Sequence, residues 1–205
     1  MKLLKKELLN QKYECWDITT SKNHNFIAEG AVVHNSNARF VWAKNPDTGE
    51  YEQYCGSRTN WLKDETNDIW WKIFHATPSI GLWCKAHPDV ILYGEVFGQV
   101  QKGYNYGVAG GLAFAAFAML DKGIWISYDE MIKSLNEFDV PVVPFVYRGP
   151  FNRQLFYKMA EENSRWPTAK EQISEGLVIV PVKERINPKL GRVCLKIVSN
   201  RYLES

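Results

Sequence analysis

Residues 30–40 read GAVVHNSNARF. An apolar, strand-like run, GAVV, leads into His34, Asn35 and Ser36, and a second strand-like run, ARFVWAK, follows almost at once. The three polar residues form a chemical kit. An asparagine carboxamide nitrogen can attack its own backbone carbonyl, closing a succinimide and cleaving the chain behind it, provided a scaffold holds the ring-closing geometry. A neighbouring histidine can donate a hydrogen bond to that carbonyl and move protons. A serine directly after the asparagine can accept an acyl group on its Oγ. The stretch therefore reads as a seam between a module of residues 1–35 and a domain of residues 36–205.

The totals leave room for this division. The chain has 205 residues, enough for one substantial core plus an appendage. It is 45% hydrophobic, 23% charged and 14% aromatic, and its net charge of +2 gives no global field that would select nucleic acid by itself. Cys15, Cys55, Cys84 and Cys194 lie far apart with no CxxC pair, so neither a zinc site nor a disulfide framework is expected. Reduced thiols imply a cytoplasmic setting. The N-terminal MKLLKKELLN lacks the apolar run of a signal peptide. The longest small-apolar stretch, GVAGGLAFAAFAML from Gly107 to Leu120, is short and glycine-broken, so it reads as a buried strand and no membrane span is expected.

Ahead of the seam, ECWDITT and FIAEGAVVHN are strand-like runs around the turn-prone SKNHN. Thirty-five residues cannot bury a stable core alone, so the module needs a partner, either the domain that follows or another chain. Beyond the seam, ARFVWAK and YEQYCG are strands around a Pro-Asp-Thr-Gly turn. The stretch DETNDIWWKIFHATPSIGLW predicts a helix from about Glu65. DVILYGEVFG and LAFAAFAMLD are strands, and Lys122-Gly123 turns the chain into IWIS. SYDEMIKSLNEFD is a helix begun by Ser127 or Tyr128, with Met131, Leu135 and Phe138 on one side. VPVVPFVYRGPF is extended, RQLFYKMAEENS is a helix, and EGLVIVPVKER and RVCLKIVSNRYLE are late strands. Strands with intervening helices give an α+β domain with antiparallel sheets and flanking helices.

Around the seam the segment WDITTSKNHNFIAEGAVVHNS resembles the C-terminal segment of inteins over its whole length, at Asp17, at His24-Asn25-Phe26, at the GAVV strand and at His34-Asn35 before Ser36. Met1 stands only 34 residues before Asn35, so residues 1–35 resemble the C-terminal half of a split intein made as its own polypeptide. The resemblance implies protein trans-splicing with an N-terminal intein half on a partner chain. In it, Asp17 and His24 assist the acyl transfers, His34 assists cyclisation of Asn35, and Ser36 is the branch-point nucleophile.

In the carried domain, Glu95, Glu175 and Lys196 are charges embedded in apolar strands, and Arg58 lies near a strand end. Two carboxylates with cations suit a nucleotide and Mg²⁺, and Phe117, expected in the same sheet, offers a stacking face for a base. In order, SNAR, YGEVFG, VQKGYNYG, LAFAAFAMLDKGIWI, VPVVPFVYRGPF, SEGLVIVPVKER and GRVCLKIVSNRYLE resemble the motifs of the covalent nucleotidyltransferase superfamily, and within it the phage-type ATP-dependent RNA ligases. The resemblance implies a ligase adenylation domain of ATP-grasp-like architecture. It implies ATP and Mg²⁺ as cofactors, a lysyl-AMP intermediate, transfer of AMP to a 5′-phosphate end, and sealing by a 3′-hydroxyl. On it, Asn37 and Arg58 contact ribose or phosphate, Arg39 is a further ATP-binding candidate, Glu95 binds ribose, Phe117 stacks on adenine, Glu175 sits by the metal, and Lys196 holds the α-phosphate.

SNAR matches only the tail of the family motif Lys-x-His/Asp-Gly-Ser/Thr-Asn; the positions before Ser36 read VVHN. The nucleophilic lysine is therefore expected on the partner chain, as N-extein fused to the N-intein half, and Lys44 reads as a solvated strand-end lysine. Two positions depart from the family pattern: Ala118 stands where an aspartate often follows the stacking phenylalanine, and Val198 where a second lysine is common. With no stretch after the last motif for an RNA-binding domain, substrate docking is expected to be weak or to come from another protein. Two alternatives remain open at this point: a DNA ligase or other nucleotidyltransferase after splicing, and a non-catalytic nucleotide- or RNA-binding module.

Overall fold

The structure, a computed structural model, describes residues 37–64, 67–100, 104–189 and 191–205, together with two short strands at 26–28 and 31–33. The chain divides into two compact units, 1–33 and 34–205. In the first, β1 (Phe26–Ala28) and β2 (Ala31–Val33) pair antiparallel, with Phe26 across from Val33. The run FIAEGAVVHN is thus two strands rather than one. ECWDITT, Asp17, His24, His34, Asn35 and Ser36 lie outside the described residues.

The second unit is built on a six-stranded antiparallel sheet. Its members in chain order are β3 (Asn37–Lys44), β4 (Tyr51–Ser57), β5 (Trp61–Leu62), β6 (Val90–Gly98), β7 (Leu112–Asp121) and β8 (Ile124–Trp125), arranged β5-β4-β3-β6-β7-β8. The β3–β4 turn forms as read. The Asn45 side chain accepts from the backbone N–H of Asp47 at 2.8 Å, and Gly49 takes the left-handed φ of +75° that closes it. Lys44 is exposed at the end of β3. Lys122 and Gly123, at φ 46° and 84°, make the tight turn between β7 and β8.

One face of the sheet carries Ala38, Phe40, Cys55, Leu92, Val96, Phe114, Ala116 and Met119 into the core. Three helices cover it: α1 (Ile69–Ala76), α2 (Pro78–Ala86) and α3 (Tyr128–Asn136), which contribute Trp71, Ile73, Ile80, Trp83, Met131 and Leu135. The single helix expected from Glu65 is two helices. Asp68 caps the first, its carboxylate accepting from the N–H of Trp70 and of Trp71 at 2.9 Å each. Pro78 opens the second, because a proline has no N–H to continue α1 and pushes Thr77 out of helical geometry. In α3, the Glu130 carboxylate accepts from the Ser127 N–H at 3.3 Å and from its hydroxyl at 2.5 Å, fixing Ser127 as the cap.

The remaining elements form a smaller layer. β9 (Gly176–Ile179) pairs antiparallel with β12 (Leu195–Val198), and α4 (Arg153–Ala160) packs on both. Between them β10 (Ile186–Asn187) and β11 (Gly191–Arg192) form a hairpin that the sequence did not announce. RVCLKIVSNRYLE is not one strand: it contains β11, β12 and a short helix, α5 (Asn200–Leu203). Glu161 anchors that helix by accepting from the backbone N–H of Asn200 at 2.8 Å and of Arg201 at 3.2 Å. The second unit is therefore a mixed α/β domain with antiparallel sheets. No helix among the described residues is long and apolar enough to cross a membrane.

Candidate functional site

The face of the large sheet turned away from the core carries the polar row. Strand pairing sets Asn37, the first residue of β3, across from Glu95 of β6, and Asn37 Nδ2 approaches Glu95 Oε2 at 3.4 Å. Two positions along, Arg39 pairs with Tyr93 on the same face. Its guanidinium lies 4.0 Å from the Trp61 ring centroid. Burial holds its pKa below the usual value, partly offset by Tyr93. Arg39 Nε is buried and has no hydrogen-bond partner among the described residues, so the guanidinium retains donor capacity. Arg58 directly follows Ser57, the last residue of β4, whose strand partner is Ala38.

A β-bulge supplies the aromatic face. Gly94 pairs with Ala116, but Tyr93 pairs with Ala118, so Phe117 is the extra residue on β7. Ala116 and Met119 both face the core, and an ordinary strand cannot place residues three apart on one face. The bulge resolves this by turning Phe117 and Ala118 together toward the polar row. Beside it the chain returns: the Ala116 N–H donates to Pro141 O at 2.8 Å and the Val143 N–H donates to Ala116 O at 3.0 Å.

Glu175 and Lys196 do not share the sheet of Phe117 as the sequence reading had it; they belong to the β9–β12 pair. Glu175 immediately precedes β9, and its backbone carbonyl accepts from the Ser199 N–H at 3.0 Å. Its carboxylate accepts the phenol hydrogen of Tyr106 in a very short hydrogen bond. Lys196 stands across from Val178 with its side chain exposed, one strand from Glu175.

Tyr106 is the residue that sequence reasoning missed, although VQKGYNYG was marked as a motif. Its pKa is pushed far above the phenolic range, by burial first, then by Glu175, with Glu95 contributing as well. The phenol is therefore tied to the carboxylate of the small sheet. A usable signal was the Asn-Tyr-Gly turn. Asn105 Oδ1 accepts from the Gly107 N–H at 3.0 Å, and Tyr106 takes a left-handed φ of 51°, uncommon for an aromatic residue.

Chemically, one face of the large sheet offers a carboxylate, a carboxamide, a guanidinium and a half-buried phenyl ring, and the small sheet offers a second carboxylate. Among the described residues no three His, Cys, Asp or Glu side chains group as a metal cage. Such a donor set suits Mg²⁺, which is commonly held by one or two carboxylates together with substrate phosphates.

The model of the RNA ligase family matches residues 33–198. Among solved structures, the Naegleria gruberi RNA ligase with pyrophosphate superposes with a TM-score of 0.66 at 21% identity, over 82% of this chain and 48% of that one. A mutant of the same ligase with ATP and Mn gives 0.65 at 21%, over 84% and 49%. Another mutant, with AMP and Mn, gives 0.65 at 22%, over 83% and 48%. The chain thus spans about half the length of the solved structures it matches. No curated protein matches it in sequence. With four-fifths of its length under the family model, the chain belongs to the RNA ligase family.

Proposed function

We propose that this chain is the C-terminal precursor of an ATP-dependent RNA ligase, completed by protein trans-splicing. Residues 1–35 act as the C-terminal half of a split intein and meet an N-terminal half on a partner chain. Asp17 and His24 assist the acyl transfers, Ser36 receives the N-extein on its Oγ, and His34 assists Asn35 in releasing the intein. The partner's extein brings the Lys-x-His/Asp-Gly that this chain lacks before Ser36. The joined enzyme, working in the cytoplasm, seals 5′-phosphate and 3′-hydroxyl RNA ends through lysyl-AMP and an AMP-capped strand.

The observation that carries the reading is the start of β3. The strand pairs with β6 from Asn37 and with β4 from Ala38, directly after the seam, and its first side chain already faces Glu95. Each surrounding residue then has a task. Phe117 stacks on adenine, Glu95 accepts from the ribose hydroxyls, and Asn37, Arg39 and Arg58 meet ribose or phosphate oxygens. Lys196 holds the α-phosphate, and Glu175 holds Mg²⁺, which when bound neutralises phosphate charge. The Naegleria gruberi ligase was solved as a lysine-to-alanine mutant with ATP and Mn. By analogy, nucleotide binding here need not await a lysine.

Mixing the chain with an N-intein partner tests this. The expected result is a spliced product that captures label from α-labelled ATP and seals nicked RNA in preference to nicked DNA. Asn35→Ala should block release and Ser36→Ala should block branching. Capture of AMP by this chain alone, or failure to splice with any complementary half, would end the reading. Preference for nicked DNA favours the DNA-ligase alternative.

A further inference from the structure

The geometry points to Tyr106 as a positioning residue of the nucleotide site: its phenol orients the Glu175 carboxylate toward the metal-bound triphosphate. This rests on the ligase reading above and adds a residue and a function to it. Tyr106 is held at three points. Its N–H donates to Gln172 Oε1 at 3.2 Å, its carbonyl accepts from Thr168 Oγ1 at 2.7 Å, and its ring packs edge-on against Phe97 at 5.7 Å and beside Trp166 at 5.8 Å. The next residue must be glycine. Gly107 has φ +80°, and a Cβ there would meet Thr168 O at 2.2 Å. A tyrosine kept in the left-handed region is strained, so its neighbours over-determine the conformation. What they fix is where the phenol points.

That phenol ends on Glu175 Oε1. Gripping one oxygen fixes the plane of the carboxylate and so the direction in which Oε2 is offered. Without the bond the small layer's carboxylate would rotate freely, and the entropy of fixing it would fall on the ligand.

The test is calorimetric titration of the full 205-residue chain with ATP, once with Mg²⁺ and once with EDTA. Tyr106→Phe keeps the ring contacts and removes only the hydroxyl. It should weaken binding by about tenfold with Mg²⁺, the size of one charged hydrogen bond, and by less than about twofold without it. In a Glu175→Gln background the same change should cost less than about twofold, because the two act as one unit. Thr168→Val, which loosens only the latch under Tyr106, should reproduce the Mg²⁺-dependent loss at roughly threefold, and this keeps the test open should Tyr106→Phe fold poorly. Equal losses with and without Mg²⁺, or additivity with Glu175→Gln, would overturn the inference, since a purely structural role predicts both. An unchanged Tyr106→Phe in a chain that binds ATP·Mg²⁺ overturns this inference alone. Absence of ATP·Mg²⁺ binding by the wild-type chain overturns it and the ligase reading together.

Discussion

Gly94→Ala should be among the most damaging single-methyl additions in the molecule. Gly94 lies in the centre of the sheet, paired with Ala38 on one side and Ala116 on the other, directly beside the bulge. These three small residues form a row on the core face that leaves room for the Phe114 ring. A Cβ on Gly94 would come within 2.1 Å of Phe114 Cε2, 2.2 Å of Cζ and 2.5 Å of the Ala115 carbonyl oxygen. The carbonyl belongs to the β6–β7 ladder and cannot retreat without breaking it. The ring is 3% exposed and already meets Phe40 edge-on at 5.3 Å, so it cannot swing aside. Overpacking a core typically costs 1–3 kcal/mol, and with both neighbours fixed the upper end applies, about 3 kcal/mol. For a domain of this size that lowers Tm by about 6–12 °C. The assay is thermal unfolding by circular dichroism, with Gly111→Ala as the control, since a Cβ at Gly111 would meet nothing within 4 Å. The control should stay within about 0.5 kcal/mol of wild type. A Gly94→Ala protein that unfolds within about 2 °C of wild type would refute the assigned register and with it the placement of Phe117.

Three further outcomes follow from particular residues. Phe117→Leu should weaken ATP binding by about tenfold, as loss of a stacking face does, while leaving Tm nearly unchanged because the ring is only half buried; equilibrium dialysis with labelled ATP checks it. Burial drives the Cys55 thiol upward and that of Cys84 up to about 12, so neither should react with a thiol-labelling reagent at pH 8 until the protein unfolds. Glu161 has its pKa lowered below the ordinary 4.5, chiefly by the Asn200 backbone N–H. Its anchoring of α5 therefore stabilises the fold above that value and is lost as pH falls through the lower folded-state value. Glu161→Gln should accordingly flatten the acid limb of a stability-versus-pH curve below about pH 4.5.

How much of this was legible depends on how local each determinant is. The β3–β4 hairpin, the turn at Lys122-Gly123 and the cap at Ser127 are set by residues within a few positions of one another, and the sequence discloses them. Pro78 was equally local, and the helix from Glu65 ignored it because the apolar stripe continues past it. The bulge at Phe117 could not be read from LAFAAFAMLD, a run with no polar alternation to mark its faces; the phase change exists only against β6. Tyr106 is selected by Glu175, 69 residues away. The cap residue of α5, Ser199, donates to Glu161 across 38 residues, so SNRYLE by itself resembled the tail of a strand. Glu95 and Phe117 do fall on neighbouring strands of the large sheet, and Asn37 pairs with Glu95 across β3 and β6. Glu175 and Lys196 were assigned to the wrong sheet, since a strand of four residues does not state its partner.

The same strand pairing bears on the trans-splicing proposal, which divides a ligase at Ser36. β3 is a central strand, flanked by β4 and β6, so its register is set twice over from Ala38 to Phe40. Cutting just ahead of it leaves every pairing of the described sheet within one chain. On the trans-splicing reading, the lysine arrives four residues before Ser36, within about 17 Å of Asn37 even in a fully extended chain. Its face is then dictated by the count of residues alone, because successive side chains along a strand point to opposite sides. One residue added or lost at the junction would shift the lysine by one strand position and reverse the face it presents. A junction that must be exact to the residue is what succinimide release at Asn35 delivers and what a flexible linker or a noncovalent association of halves does not.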